Sequence, residues 1–144
     1  MKPSELFASR AEAVSAKVVR VRSDAEADEA VARERERAAA AGLSADVARA
    51  VRGIAATGTC VVATDDEETR LATMLPDVSI IVIDAADIVP DLPDIASFLR
   101  ERQTVGKATY TSFITGPSRT ADIERVSAIG VHGPLELVIV LKEV

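Results

Sequence analysis

The sequence predicts an α/β fold, a mostly parallel sheet flanked by helices, built as a single domain over residues 1–144. Val78-Ser79-Ile80-Ile81-Val82-Ile83 is nearly all apolar, which suits a parallel strand covered on both faces. Strand-like runs alternate with helical ones along the chain. The composition, 48% hydrophobic and 28% charged over 144 residues, is that of one globular domain.

The elements follow in order. Pro3 and Ser4 precede Glu5, Leu6 and Phe7, predicting a helix towards Ser15 with Ser4 accepting from first-turn amides. The alternation in Lys17-Val18-Val19-Arg20-Val21-Arg22 predicts a short strand near a sheet edge. Ser23 and Glu26 form a capping-box pattern ahead of a helix from Ala25 to Ala41, which Gly42 ends. Its Arg33-Glu34-Arg35-Glu36-Arg37 run alternates in sign, so Arg33 and Arg37 are expected to pair with Glu29, Glu34 and Glu36 on a solvated face. A short helix is expected over Ser44 to Arg52 and a buried strand over Thr59 to Ala63. Thr64 and Glu67 then cap a helix to Leu75, stopped by Pro76. After the Val78 to Ile83 strand, Asp84 to Pro90 reads as a turn, and Asp91 starts a helix through Arg102. Residues 103–108 read as a loop, and Thr109 to Thr115 as another strand. A Gly116 to Thr120 turn, a helical turn at Ala121 to Glu124, Arg125 to Ile129, a Gly130 to Pro134 turn and the strand Leu135 to Leu141 complete the chain in a hairpin-like C-terminal pair.

Charge and cysteine count exclude several functions. The net charge of −6 repels a phosphate backbone, and 3% aromatic residues with no Trp give no stacking platform for bases. Lysine and arginine balance aspartate and glutamate across residues 1–42, so the excess negative charge falls in 43–144. One cysteine, Cys60, cannot ligate an iron–sulfur cluster or, with the single His132, a multi-cysteine zinc site. Inside an apolar strand it reads as an inert core thiol. No apolar run approaches the ~20 residues of a membrane span, and the N-terminus lacks a signal core, so a soluble cytoplasmic protein is expected. There is no dinucleotide fingerprint, no P-loop and no Gly-x-Ser-x-Gly elbow.

The segment Ser112-Phe113-Ile114-Thr115-Gly116-Pro117-Ser118-Arg119-Thr120-Ala121-Asp122-Ile123-Glu124 carries the most chemistry. A strand ending in Gly and a turn opening a helix present free amides and a positive dipole end at the C-terminal edge of a sheet. Ser118 and Thr120 add hydroxyls, and Arg119 adds a planar fork for carboxylate or phosphate. The same residues also allow a purely structural reading, in which Ser118 caps the turn and Arg119 pairs with Asp122 or Glu124. His132, between Gly130 and Gly133, is equally open as acid, base or ligand, or as a turn histidine bonded to a neighbouring loop. Thr57-Gly58-Thr59 places two hydroxyls around a glycine, for a ligand or for loop amides. The carboxylates of Asp65-Asp66-Glu67-Glu68 suit a helix first turn better than a divalent ion.

The Phe113 to Glu124 segment, followed by Gly130-Val131-His132-Gly133-Pro134, resembles the LUD-domain family of lactate utilisation protein C. Weaker likeness runs back through Leu71 to Asp94 and to Ile54 to Thr59, making residues 43–144 the family-like core and 1–42 an atypical N-terminal part. The resemblance implies a fold similar to sugar-phosphate isomerases and CoA-transferases. It also implies a part in oxidising lactate to pyruvate beside subunits that carry the iron–sulfur clusters, none being bound by this chain. Matched residue by residue, it makes Gly116, Ser118, Arg119, Thr120, Asp122, His132 and Gly133 the ligand-facing set, for a small carboxylate or phosphate. Ala56 stands where the family pattern usually has an acidic residue, and members are typically longer on the N-terminal side. The expected role is therefore an accessory subunit, with an autonomous isomerase- or transferase-type enzyme and a shortened non-catalytic scaffold as alternatives. A homodimer is the expected assembly, the second copy covering what a short N-terminal half leaves open.

With one Cys, one His and no dinucleotide fingerprint, the purified protein is expected to carry no stoichiometric iron, zinc or flavin. Metal analysis and an absorption spectrum check this; a reproducible one-to-one metal or a flavin spectrum would overturn it.

Overall fold

A computed structural model of the chain describes residues 2–64, 68, 71, 74–104, 110–117 and 134–143. Its centre is an all-parallel sheet of four strands in the order β1-β8-β5-β2: β1 (Lys17–Val21), β2 (Ala45–Arg49), β5 (Val78–Asp84) and β8 (Glu136–Lys142). Pleating sends Ile81, Ile83, Ile139 and Leu141 to one face and Ile80, Val82, Val138 and Val140 to the other. Helix α2 (Asp24–Ala40) covers the second face, with Ala27, Ala30 and Ala38 letting its backbone lie close to the valines. The first face packs against α1 (Pro3–Ala13), through Phe7, Ala8 and Ala11, and against Cys60, Val62 and Ile88 of a second sheet.

That second sheet has the order β6-β3-β4-β7: β3 (Arg52–Ile54), β4 (Thr59–Thr64), β6 (Ile88–Val89) and β7 (Tyr110–Ile114). β4 runs antiparallel to β3 and β7, and β3 is parallel to β6. Ile54 and Val61 on its outer face pack with Ile95, Phe98 and Leu99, the last two from α3 (Ala96–Thr104). The layers run α2, parallel sheet, α1 with the second sheet, and α3.

The predicted α/β class, with its parallel sheet between helices, is the observed one; the division into two sheets was not anticipated. The helix expected over Ser44 to Arg52 is instead β2 and the start of β3. Ala45-Asp46-Val47-Ala48-Arg49 has ample helix propensity, but pairing with β5 decides its state, sending Val47 towards α2 and Ala48 towards α1. Ser44 caps nothing; its amide and hydroxyl both donate to Asp77 Oδ2, at 2.9 and 3.1 Å, and tie the starts of β2 and β5 together. In α1, Pro3 opens the helix, Lys2 is the N-cap residue without a side-chain cap, and Ser4 lies inside the first turn. α2 agrees closely: Ser23 Oγ accepts from the Glu26 amide at 3.1 Å, and Gly42 follows the helix at φ +76°.

Asp84 to Pro90 holds a short 3-10 turn, Ala85–Asp87, and β6. Asp91 and Asp94 form a reciprocal capping box, and the helical segment extends to Thr104 rather than Arg102. β8 has parallel neighbours on both sides, so the hairpin-like C-terminal pair is not formed across either of its edges; residues 125–129 themselves lie outside the described set. So do residues 65–67, where the Thr64 helix was expected to start, although its last turn closes through Met74 and Leu75 amides on Leu71 O.

Arg33, Arg35, Glu36 and Arg37 of α2 are exposed and Arg37 pairs with Glu34, as expected, but Glu34 itself is buried. Glu34 is only 6% exposed, accepting from Lys17 Nζ at 2.7 Å and Arg37 Nε at 2.9 Å, while Arg37 Nη2 reaches Glu136 at 3.1 Å. At the other end of the same helix, Lys142 Nζ donates to Asp24 at 2.8 Å. α2 thus runs antiparallel to the strands it covers and is pinned by ions at both ends.

Burial alone would raise the Glu34 pKa, but the hydrogen bonds and charges of Lys17 and Arg37 outweigh it and hold the carboxyl below its ordinary 4.5. A carboxyl with a depressed folded pKa stabilises above its unfolded value, and that contribution is lost as pH falls through the folded one. Glu34→Gln is expected to cost about 1–3 kcal/mol at neutral pH. Part of the wild type's acid sensitivity below its ordinary 4.5 should disappear with it, as read by urea melts at stepped pH.

Candidate functional site

Two glycines bring separated parts of the sequence together on the last turns of α1. Gly58, at φ +67°, lies so close to Arg10 and Ala11 that a Cβ there would collide with the Ala11 backbone nitrogen. Gly116, at φ +70°, follows β7, and a Cβ on it would lie 2.5 Å from Val14 O. Both positions need a left-handed backbone and an absent side chain.

These approaches align three hydroxyls. Thr57 Oγ1 and Thr59 Oγ1 are 2.7 Å apart, and Thr59 Oγ1 and Thr115 Oγ1 are 2.6 Å apart. Thr59 is buried, whereas Thr57 and Thr115 reach solvent. When the buried Thr59 accepts one of these bonds and donates the other, one end of the row has an O–H to donate outward and the other a free lone pair. The row can reverse, offering a donor or an acceptor beside Gly116. Thr57 and Thr59 were visible in the sequence as an ambiguous pair; their junction with Thr115 is a product of the β4–β7 pairing.

Of the predicted ligand-facing set, Gly116 is placed here, while Ser118, Arg119, Thr120, Asp122, His132 and Gly133 lie outside the described residues. The segment that carries them leaves from Gly116, beside Val14 and just ahead of β1, and returns at Pro134 before β8. The Leu135 amide donates to Asp77 O at 2.8 Å, at the start of β5. Both ends of the segment are therefore held where the parallel strands begin. Gly116 follows the carboxyl end of β7, which runs antiparallel to β4, and residues 118–120 of the expected turn lie outside the described residues.

A second charged cluster, which the sequence analysis did not single out, sits at the opposite edge. Asp84 ends β5 beside Lys142 of β8 in register, and Asp24 opens α2 above them. Lys142 Nζ lies 2.8 Å from Asp24 Oδ1 and 3.3 Å from Asp84 Oδ1. The hydrogen bond to Asp24, followed by the nearby Asp84 carboxylate, raises the Lys142 pKa, and the Lys142 bond and charge lower that of Asp24. Its signal was register, two charges ending neighbouring strands far apart in the chain.

Cys60 is fully buried and burial pushes its thiol up to about 12, in agreement with an inert core cysteine. Among the described residues, no group of three or more His, Cys, Asp or Glu side chains could hold a metal ion, and no helix is long and apolar enough to cross a membrane.

Comparison with known proteins places this geometry in a family. Residues 48–141 match the LUD domain. Lactate utilization protein C of Geobacillus thermodenitrificans is 34% identical over 85 residues, covering 58% of this chain and 35% of that protein. The uncharacterized protein YkgG of Escherichia coli is 31% identical over 93 residues, 63% of this chain and 40% of its own. Lactate utilization protein C of Bacillus subtilis is 31% identical over 90 residues, 61% and 38% of the two chains. The matched regions span 35% to 40% of these relatives' lengths. In fold, the chain is similar to a crystal structure of a DUF162 family protein from Deinococcus radiodurans, with a TM-score of 0.70 over 99% of each chain at 18% identity. With most of its length matched by the domain, from β2 to β8, the chain belongs to the LUD-domain family.

Proposed function

We propose that this chain is an accessory component of lactate utilisation that holds a small carboxylate or phosphate at the Gly116 to Thr120 turn. The observation that carries the reading is the Thr59–Thr115 hydrogen bond, which joins two family-like segments and sets a reversible hydroxyl row at the root of that turn. The names of the relatives supply the pathway, and the chemistry supplies the division of labour. Oxidising lactate to pyruvate releases two electrons and two protons, and a chain with one sealed thiol leaves the electrons to iron–sulfur partner subunits. Its own contribution is to bind and orient the anion, with Ser118, Arg119, Thr120 and His132 supplying donors beyond the threonine row.

The C-terminal end of α1 lies against Gly116, and a helix C-terminus favours a cation. Arg119 thus has a structural as well as a ligand-binding rationale, and the test must separate them. Arg119→Ala is expected to weaken lactate, pyruvate or phosphate binding by about 1.5–3 kcal/mol in calorimetric titrations. Arg119→Lys should recover only part of the loss, since an ammonium lacks the fork. If wild type binds none of these anions while Arg119→Ala loses several degrees of thermal stability, Arg119 is a structural partner and the reading fails.

A further inference from the structure

The crevice at the carboxyl ends of β5 and β8 has the attributes of a binding site independent of the Gly116 turn. A cavity of about 360 Å³ opens there, walled by Asp84, Ala85, Ala86 and Lys142. Parallel α/β sheets hold ligands at this position, where chain segments leave the strand ends towards opposite faces. Here the 3-10 turn Ala85–Asp87 leaves β5 and the N-terminus of α2 stands on the other side.

The three charges are unequally committed. The Lys142 side chain is 17% exposed and fixed between its partners, whereas that of Asp24 is 79% exposed and caps the ammonium from solvent. Asp84 Oδ1 is buried, and although it stands at ion-pair distance from Lys142 it accepts no hydrogen bond. The crevice therefore presents a cation whose outer cap is replaceable and a buried acceptor that lacks a donor, 3.3 Å apart. That spacing suits a molecule with a carboxylate and a hydroxyl on adjacent carbons. The carboxylate takes the place of Asp24 on Lys142 and the hydroxyl donates to Asp84, while Ala85 and Ala86 meet an apolar remainder.

We propose that this crevice binds a small 2-hydroxycarboxylate, with Lys142 and Asp84 as its two polar contacts and Asp24 as the intramolecular carboxylate it displaces. A keto acid offers no proton to Asp84 and sets a carbonyl oxygen against the carboxylate, so the hydroxy acid is preferred. Propionate keeps the carboxylate and the apolar body but loses the Asp84 contact.

The test is calorimetric titration of L-lactate, pyruvate and propionate into the full chain and into Asp24→Asn, Asp84→Asn and Lys142→Met, with melting temperatures in parallel. Wild type is expected to prefer lactate to pyruvate and to propionate by about 10-fold or more. Asp24→Asn should tighten lactate severalfold by removing the competing carboxylate. Lys142→Met should weaken it by about 10-fold or more. Asp84→Asn should erase the preference over pyruvate, because an amide can donate to the keto oxygen. A simple ionic clamp predicts the opposite for Asp24→Asn, a lower melting temperature with no gain in affinity. That result, or lactate binding that is the same in wild type, Asp24→Asn and Asp84→Asn, would overturn the proposal, and these two exposed or half-exposed substitutions decide it even if Lys142→Met fails to fold. Lactate binding abolished by Arg119→Ala yet unaffected by all three variants would leave the Gly116 reading standing and this one refuted, and no binding of lactate by wild type would refute it as well.

Discussion

Strands β5 and β8 are buried on both faces, and most of the architecture answers that constraint. Two adjacent parallel strands of Val, Ile and Leu need an apolar layer above and below, and no single helix supplies both. α2 covers one face with alanines, and α1 together with the second sheet covers the other. A parallel pair also needs a crossover from one end of the sheet to the other, which orients α2 against the strands and brings its two ends to opposite edges. The charged residues on the helix then find partners at each edge: Glu34 and Arg37 where the strands begin, Asp24 where they finish.

The two edges differ in chemistry for the same reason. At the opening edge, two loops of the second sheet converge on the end of α1, and only glycine can pass so near the helix backbone at residues 58 and 116. Close passage aligns Thr57, Thr59 and Thr115, neutral groups that can donate or accept. At the closing edge the groups are ionised, and Lys142 is held between one exposed and one half-exposed carboxylate. An acidic chain thus keeps a positive charge at the mouth of a cavity by surrounding it with its own anions.

What could be read in the sequence was what depends on local pattern. The strands of Thr59 to Ala63, Val78 to Ile83 and Leu135 to Leu141 announced themselves as apolar runs, and Ser23 with Glu26 marked the start of α2. β2 was misread because alanine, aspartate and arginine favour a helix in isolation, and its strand state comes from pairing with β5. The second sheet could not be separated from the first, since β3 has three residues and β6 two, too few to show a period. The same division governs the sites: the Gly116 segment is contiguous and stood out, whereas Asp24, Asp84 and Lys142 are joined only by strand register and a helix end.

Cys60 acquires a different meaning once the layers are known. Its side chain lies in the apolar layer that α1, the main sheet and the second sheet share, so a reagent reaches the sulfur only when that layer separates. The rate at which a thiol label accumulates therefore counts openings of the molecule's middle seam, a reporter placed by nature where an engineer would have had to insert one. The same seal removes the thiolate through which oxidants ordinarily modify proteins, leaving the native fold itself as the protection.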